Sequence, residues 1–293
     1  MKLLNLGCGT TYHPDWVNID LHASPPHVIG HDLKRGIPFP DASFDAVYTS
    51  HVLEHIPPAH AAAFLNEAVR VLKPGGVMRV VVPDLETICR LYLDKLAGAV
   101  ESAPGAANDY DWMMIELLDQ TTRTRSGGLM ASYLRNPQLG NAAFVTGRIG
   151  CHVASIRGTE SSGPAPGLLS RLRRVPPSRL FQLVRERLTL GLVRLLMGPD
   201  GSAALKEGLF RNSGEIHQWM YDRFSLARLL ESVGLEGARS CAASESAIRD
   251  FERYQLDRLG TQVRKPDSLF MEAFKPAAGA ASGARATFDR SAV

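Results

Sequence analysis

The sequence predicts an α/β protein, in which a doubly wound sheet is interrupted by a helical insertion. Short apolar segments typical of buried strands recur through the first 82 residues, and an amphipathic helical pattern precedes the last of them. After residue 96 the pattern changes, because helical segments are separated by stretches rich in glycine, proline and serine. Strands that alternate with helices are typical of an α/β sheet.

Five strands are predicted in this first part of the chain. They are Leu3–Leu6, Trp16–Asp20, His27–Asp32, Phe44–Tyr48 and Val77–Val82. A helical pattern covers Ala59–Leu72, and the sequence Lys73–Gly76, with its proline and two glycines, ends it. The near-continuous apolar run of the fifth strand is typical of a strand buried in a parallel sheet.

These patterns divide the chain into four parts. They are a core over residues 1–96, a helical insertion over 97–214, the completion of the core over 215–275, and a disordered tail over 276–293. Helical patterns cover residues 85–96, 110–118, 180–196 and 223–233. Gly234 is expected to cap the last of these helices, and Leu269–Phe274 is predicted to be the last strand.

Composition excludes several classes of protein. Hydrophobic residues make up 45% and charged residues 22% of the 293 residues, as in globular proteins. A net charge of +3 does not indicate a nucleic-acid partner. The four scattered cysteines indicate neither a disulfide framework nor a structural zinc site, so a reducing, cytoplasmic location is expected.

A candidate ligand site follows the first strand. The run from Leu4 to Gly9 ends in Gly7 and Gly9, which let the backbone approach a ligand closely because glycine has no Cβ. Asp20 ends the second strand, where a carboxylate can accept hydrogen bonds from both ribose hydroxyls. This pair predicts an adenosine-containing ligand. A dinucleotide is disfavoured, because Pro14 leaves no room for the helix that would hold a diphosphate.

Five segments in this part carry further motifs. They are Asn5–Gly9, Trp16–Asp20, Pro38–Asp45, Ser50–Ile56 and Arg70–Gly76. Together they resemble the class I S-adenosylmethionine-dependent methyltransferases, and most closely a type-11-like branch with a shortened first helix. The segment His217–Asp222 resembles the same family more weakly. The resemblance implies a Rossmann-like fold and S-adenosylmethionine as the cofactor.

The resemblance also implies cofactor-binding residues. They are Asn5, Gly7, Cys8, Gly9, Asp20, Asp32, Leu33 and Ser50. In this arrangement the two glycines lie against the cofactor, Asp20 holds its ribose, and Asp32 and Leu33 flank its adenine. Adenosylmethionine carries no phosphate, which agrees with the missing first helix.

Two histidines are implied near the reaction centre. The resemblance places His51, with Ser50, where the methyl group is transferred, and His217 beside the acceptor. Either imidazole would serve as the catalytic base for an alcohol acceptor. The acceptor is expected to be an oxygen or nitrogen atom of a small molecule, and a cell-surface saccharide precursor is implied by association only.

Two other functions remain open at this stage. One is a non-catalytic module that binds S-adenosylmethionine. The other is a zinc peptidase that uses the H-x-x-E-H sequence His51–His55, with Glu54 as the base. The peptidase is disfavoured, because Pro57 and Pro58 cut short the helix that would bring both histidines to one metal. No metal is therefore predicted.

The insertion contains a strongly basic segment. Residues Leu168–Met197 hold seven arginines against one acid, Glu186, with leucines and valines between them. Such a segment would make peripheral contact with an anionic membrane, or would pack as a helical cap on the core with its arginines in solvent.

Overall fold

The computed structural model of the protein describes residues 1–150, 153 and 177–277, without the side chains of residues 177–183 and 186. Seven strands form one sheet. They are β1 Leu3–Leu6, β2 Val17–Asp20, β3 Val28–Gly30, β4 Phe44–Ser50, β5 Leu72–Pro83, β6 Glu236–Cys241 and β9 Ser268–Phe274. A separate hairpin pairs β7 Arg258–Leu259 with β8 Gln262–Val263.

The strand order confirms the predicted α/β architecture. The sheet runs β3-β2-β1-β4-β5-β9-β6, with β1 to β5 parallel and β9 antiparallel to both of its neighbours. The order reverses between β1 and β4, so the crevice outside their carboxyl ends is the place where an open α/β sheet binds its ligand. The glycine run after β1 lies at this crevice.

Seven α-helices are described in these parts of the chain. They are α1 Pro58–Val71, α2 Leu85–Val100, α3 Ala106–Thr122, α4 Gly128–Leu134, α5 Ala142–Ile149, α6 Pro177–Arg211 and α7 Arg223–Ser232. The six described helices α2 to α7 lie between β5 and β6 in the chain. Helix α6 is kinked at Gly198, just before Pro199. None of the described helices is both long and apolar enough to cross a membrane.

The two faces of the sheet are covered differently. Helices α1 and α7 pack on one face through a core that includes Leu65, Val80 and Leu230. No α-helix lies between β1 and β4. The second face of the sheet is therefore not covered by a helix from that part of the chain. The aromatic side chains of Phe251 and Tyr254, from the segment between β6 and β9, bury that face instead.

Several sequence predictions are corrected at the edges of elements. Strand β5 begins at Leu72, directly after α1, and the predicted stop at Lys73–Gly76 is an irregularity within the strand. The end of β9 supports this irregularity, because Lys275 Nζ donates hydrogen bonds of 2.7 Å to the carbonyls of Val69 and Leu72. Strand β3 ends at Gly30 rather than Asp32, and Gly234 caps α7 with a φ of 85° as predicted.

Some predicted features fall outside the described residues. They are the stretch at 161–167, one of those rich in glycine, proline and serine, residues 278–293 of the predicted tail, and the first part of the basic segment, residues 168–176. Strand β6 and the β7–β8 hairpin were not predicted. Strand β6 has no buried side chain, so no apolar pattern marks it in the sequence.

Candidate active site

The turn after β1 is shaped by glycine. Gly7 and Gly9 have φ values of 67° and 51°, in the left-handed region that favours glycine. A Cβ on Gly7 would overlap Cγ2 of Val52. The amides of Gly7 and Cys8 both donate to the carbonyl of Ile19, at 2.8 and 3.1 Å, so the turn is fastened to β2 without an intervening helix.

Asp20 and Asn5 hold the rest of this turn. Asp20 accepts a hydrogen bond of 2.8 Å from the Gly9 amide and one of 3.0 Å from the His22 amide. The buried amide of Asn5 donates at 3.2 Å to both the Thr11 carbonyl and the Asn18 side chain. Because each carboxylate oxygen has two lone pairs, Asp20 keeps acceptor capacity for a ligand after these bonds.

A cavity of about 360 Å³ opens at the carboxyl ends of β1 and β4, within the usual size range of small-molecule sites. Six of the predicted residues line it: Asn5, Gly7, Cys8, Gly9, Ser50 and His51. The other predicted residues do not line it. Asp20 lies at the same sheet edge, and Asp32 caps the 3-10 helix Leu33–Arg35 by accepting from the Lys34 amide at 3.0 Å.

Other residues of the lining could not be predicted. They are Thr10, Thr11, Tyr48, Val81, Leu256, Asp257, Arg264, Lys265 and Phe270. Four of them belong to the segment 256–265, which is about 250 residues away from β1 in sequence and joins the cavity only through the fold. Tyr48 and Val81 look like ordinary core residues of their strands, so no sequence signal separates them.

A buried charged network supports the wall formed by this segment. Arg79 is fully buried and donates to Asp257 at 2.7 Å and to Glu272 at 2.8 Å. Tyr48 donates to the other oxygen of Asp257 at 2.5 Å. Tyr48, Arg79 and Glu272 occupy adjacent positions on β4, β5 and β9. The sequence signal available for this network was a single charged residue, Arg79, within the apolar fifth strand.

His51 stands where β4 ends, with a φ of 55°. Its Nε2 lies 2.9 Å from Ser268 Oγ, and its Nδ1 lies 3.1 Å from Oε1 of the fully buried Glu54. Burial and the nearby charge of Lys265 lower the pKa of His51 to about 4. The imidazole is therefore unprotonated at neutral pH, which is the form that can accept a proton.

The geometry required for a zinc peptidase is not formed. Only Leu53–His55 adopt a single 3-10 turn, and His51 precedes it in a left-handed conformation. The two histidines of the motif therefore do not share one face of an α-helix, as that hypothesis requires.

His217 approaches the same motif from the other end of the chain. It is 4% exposed, its amide donates to the Gln120 carbonyl at 2.9 Å, and its ring centroid lies 4.7 Å from that of His55. Burial lowers the pKa of His217 to about 3. His217 is not among the residues that line the cavity.

Comparison with known proteins identifies the first part of the chain. The methyltransferase domain family matches residues 4–80. A class I S-adenosylmethionine-dependent methyltransferase domain is present in this chain. This confirms the resemblance, and the residues matched end within β5, so the match covers the glycine turn, Asp20 and the His51–His55 segment.

Individual relatives of the methyltransferase domain agree with this. A probable S-adenosylmethionine-dependent methyltransferase from Mycolicibacterium smegmatis is 34% identical over 99 residues, which are 28% of this chain and 38% of the relative. A demethylmenaquinone methyltransferase from Tropheryma whipplei is 35% identical over 97 residues, 28% of this chain and 39% of the relative. The chain thus spans about two fifths of the length of these curated relatives.

A solved structure was also matched. The 1,6-didemethyltoxoflavin-N1-methyltransferase of Burkholderia thailandensis, with bound 1,6-didemethyltoxoflavin and S-adenosylhomocysteine, is 17% identical. The match covers 28% of this chain and 44% of that one, with a TM-score of 0.25.

The residues at the carboxyl edge fit S-adenosylmethionine, the cofactor of this methyltransferase domain. The glycine turn is a cradle in which Gly9 has open space where a Cβ would stand, and Asp20 offers a carboxylate beside it. No helix lies between β1 and β2, so no helix N-terminus is present there to hold a diphosphate. When bound, the cofactor supplies a methyl group that its positively charged sulfur already activates.

Proposed function

We propose that the whole chain is an S-adenosylmethionine-dependent methyltransferase that acts on an oxygen or nitrogen atom of a small molecule. The observation that carries this proposal is the cavity, which joins the glycine turn to His51 at the end of β4. Relatives of the domain support a small acceptor, since they include a demethylmenaquinone methyltransferase and a 2-methyl-6-phytyl-1,4-hydroquinone methyltransferase. A cell-surface saccharide precursor also fits the proposal, since its hydroxyl groups are oxygen acceptors.

In this proposal the cavity residues divide between binding and chemistry. The backbone of Gly7 and Gly9 contacts the cofactor, Asp20 binds its ribose, and Asp32 and Leu33 flank its adenine. His51, beside Ser50, accepts a proton from an acceptor hydroxyl. We assign this role to His51 rather than His217, because His51 lines the cavity and His217 does not.

Replacement of Asp20 by alanine tests the cofactor site. The net loss of one hydrogen bond to a charged group costs about 1.5–3 kcal/mol, so Asp20→Ala is expected to weaken S-adenosylmethionine binding by at least about tenfold and up to several-hundredfold. Isothermal titration calorimetry measures the change. Asp94→Ala is the matched control, because Asp94 is an exposed carboxylate on α2. This variant should bind S-adenosylmethionine with the affinity of the wild type.

Asp20 also holds the Gly9 amide, so a folding defect must be separated from a binding defect. Asp20→Asn keeps an oxygen for that amide but lacks the charge, and circular dichroism reports whether each variant folds. Unchanged affinity in a folded Asp20→Ala protein would remove the cofactor assignment.

We further infer that the first half of α6 lies on an anionic membrane surface. Leu188, Leu192, Leu195, Leu196 and Met197 are between 56% and 82% exposed. A cap that packed on the core would bury such leucines. Arginines at positions 185, 187 and 194 accompany them and would face lipid phosphates.

Vesicle binding tests this surface. Binding to vesicles that contain anionic lipid is expected to fall steeply as salt rises, because the surface field is screened within about 10 Å at 0.1 M. Changing Arg185, Arg187 and Arg194 to glutamine should abolish it, whereas the same change at Arg223, outside the segment, should not. Co-sedimentation measures the bound fraction, and absence of binding at low salt would contradict the inference.

A further inference from the structure

Three side chains with metal-binding atoms converge behind the cavity. Glu54, His55 and His217 each place one ligand atom within 4.8 Å of the others. Glu54 is fully buried and His217 is 4% exposed, whereas His55 is half-buried. The first two residues follow β4, and the third precedes α7, so only the fold brings them together.

The buried polar atoms of this cluster lack hydrogen-bond partners. Neither carboxylate oxygen of Glu54 has one among the described residues, and the same holds for Nδ1 of His217. His51 Nδ1 lies 3.1 Å from Glu54 Oε1 without the alignment of a hydrogen bond. A buried carboxylate that has an imidazole beside one oxygen but accepts no aligned hydrogen bond is costly, and a bound cation lowers that cost.

The backbone around the cluster holds the ligands in place. His55 Nδ1 lies 3.2 Å from the Ile216 carbonyl, to which it can donate, so that its Nε2 lone pair remains free. Carbonyls hold metal-binding histidines in this way, because the hydrogen bond fixes both the tautomer and the ring orientation. The amides of Gln218 and Trp219 both donate to the Glu54 carbonyl, at 2.6 and 3.2 Å, which ties the two segments together.

We propose that Glu54, His55 and His217 bind one divalent transition-metal ion, for which Zn²⁺ is the best match. Two imidazoles and one carboxylate form a ligand set that Zn²⁺ uses with a fourth position left open. Mg²⁺ and Ca²⁺ are disfavoured, because both prefer oxygen ligands. The ligand atoms must close in on binding, since Zn²⁺ takes its nitrogen and oxygen ligands at about 2.0–2.2 Å.

This site differs from the peptidase motif considered in the sequence. Glu54 is a ligand rather than a base, and the second histidine comes from position 217 rather than 51. None of the three ligands belongs to the cavity lining, although Glu54 Oε1 lies 3.1 Å from Nδ1 of His51, which does. The ion would connect the chain before α7 to the end of β4.

Metal binding by the purified full chain tests the proposal. After treatment with a chelator, calorimetric titration with Zn²⁺ is expected to show one site per chain. His55→Ala, His217→Ala and Glu54→Gln should each weaken Zn²⁺ binding by at least about 100-fold, the upper end of the loss seen when only a supporting partner is removed. His60→Ala, at an exposed histidine of α1, is the matched control and should bind as the wild type does.

The result that overturns the proposal is a wild type without a stoichiometric Zn²⁺ site, or affinity that the three variants retain. If a variant fails to fold, anomalous diffraction from wild-type crystals soaked in Zn²⁺ decides instead, and an ion bound elsewhere contradicts the site. Asp20→Ala should keep Zn²⁺ binding, so failure of the cofactor assignment and failure of the metal site are distinguishable.

Discussion

Replacement of His51 by alanine is expected to lower turnover by about 100- to 10,000-fold, the usual contribution of a positioned base. The affinity for S-adenosylmethionine should remain nearly unchanged, because the cofactor contacts proposed above belong to the glycine turn, Asp20, Asp32 and Leu33. The reason lies in position, because His51 follows β4 at the crevice and lines the cavity. Burial lowers the pKa of His51 to about 4, so its imidazole is unprotonated at neutral pH, with Ser268 Oγ 2.9 Å from Nε2 and Glu54 Oε1 3.1 Å from Nδ1.

Single-turnover transfer to an identified acceptor, with calorimetry for the cofactor, measures the two effects separately. His51→Gln keeps hydrogen bonding but cannot take a proton, so it should not restore turnover. His60→Ala controls for the loss of an exposed histidine and should transfer at the wild-type rate. Near-full turnover of His51→Ala would show that the enzyme works by positioning alone, as is sufficient for an unprotonated nitrogen acceptor.

Replacement of Arg79 by methionine is expected to lower the free energy of unfolding by about 3–5 kcal/mol, the usual loss when one partner of a buried ion pair is removed. Arg79 is fully buried between Asp257 and Glu272, which are 4% and 0% exposed. Methionine fills much of the same space, so the expected loss arises from two carboxylates left without their cation rather than from an empty cavity.

Urea unfolding followed by circular dichroism measures this loss. The control is Arg90→Ala, because Arg90 pairs with Glu86 on the surface with its side chain 73% exposed, and such a pair contributes about 1 kcal/mol at most. Adding Asp257→Asn and Glu272→Gln to Arg79→Met should recover part of the stability, since it removes the unpaired charges. Equal losses for Arg79→Met and Arg90→Ala would contradict the account of the network.

The first 83 residues were largely predictable, because their signals are local. Short, mostly apolar segments mark β1 and β4, and the spacing of apolar residues marks α1. The glycine turn and Asp20 are also local signals, since a ligand edge in a parallel sheet lies where strands end. Six cavity residues therefore followed from sequence and resemblance.

The tertiary structure alone decided how distant segments complete the site. The wall over 256–265, the pairing of Arg79 with Asp257 and Glu272, and the approach of His217 to Glu54 each join residues more than 150 positions apart. A periodic pattern within a short stretch of sequence cannot indicate contacts between residues so far apart in the chain. The pairing of Arg79 with Glu272 depends on the insertion of β9 between β5 and β6, and that strand pairing is selected by burial over the whole sheet rather than by the preference of any one segment.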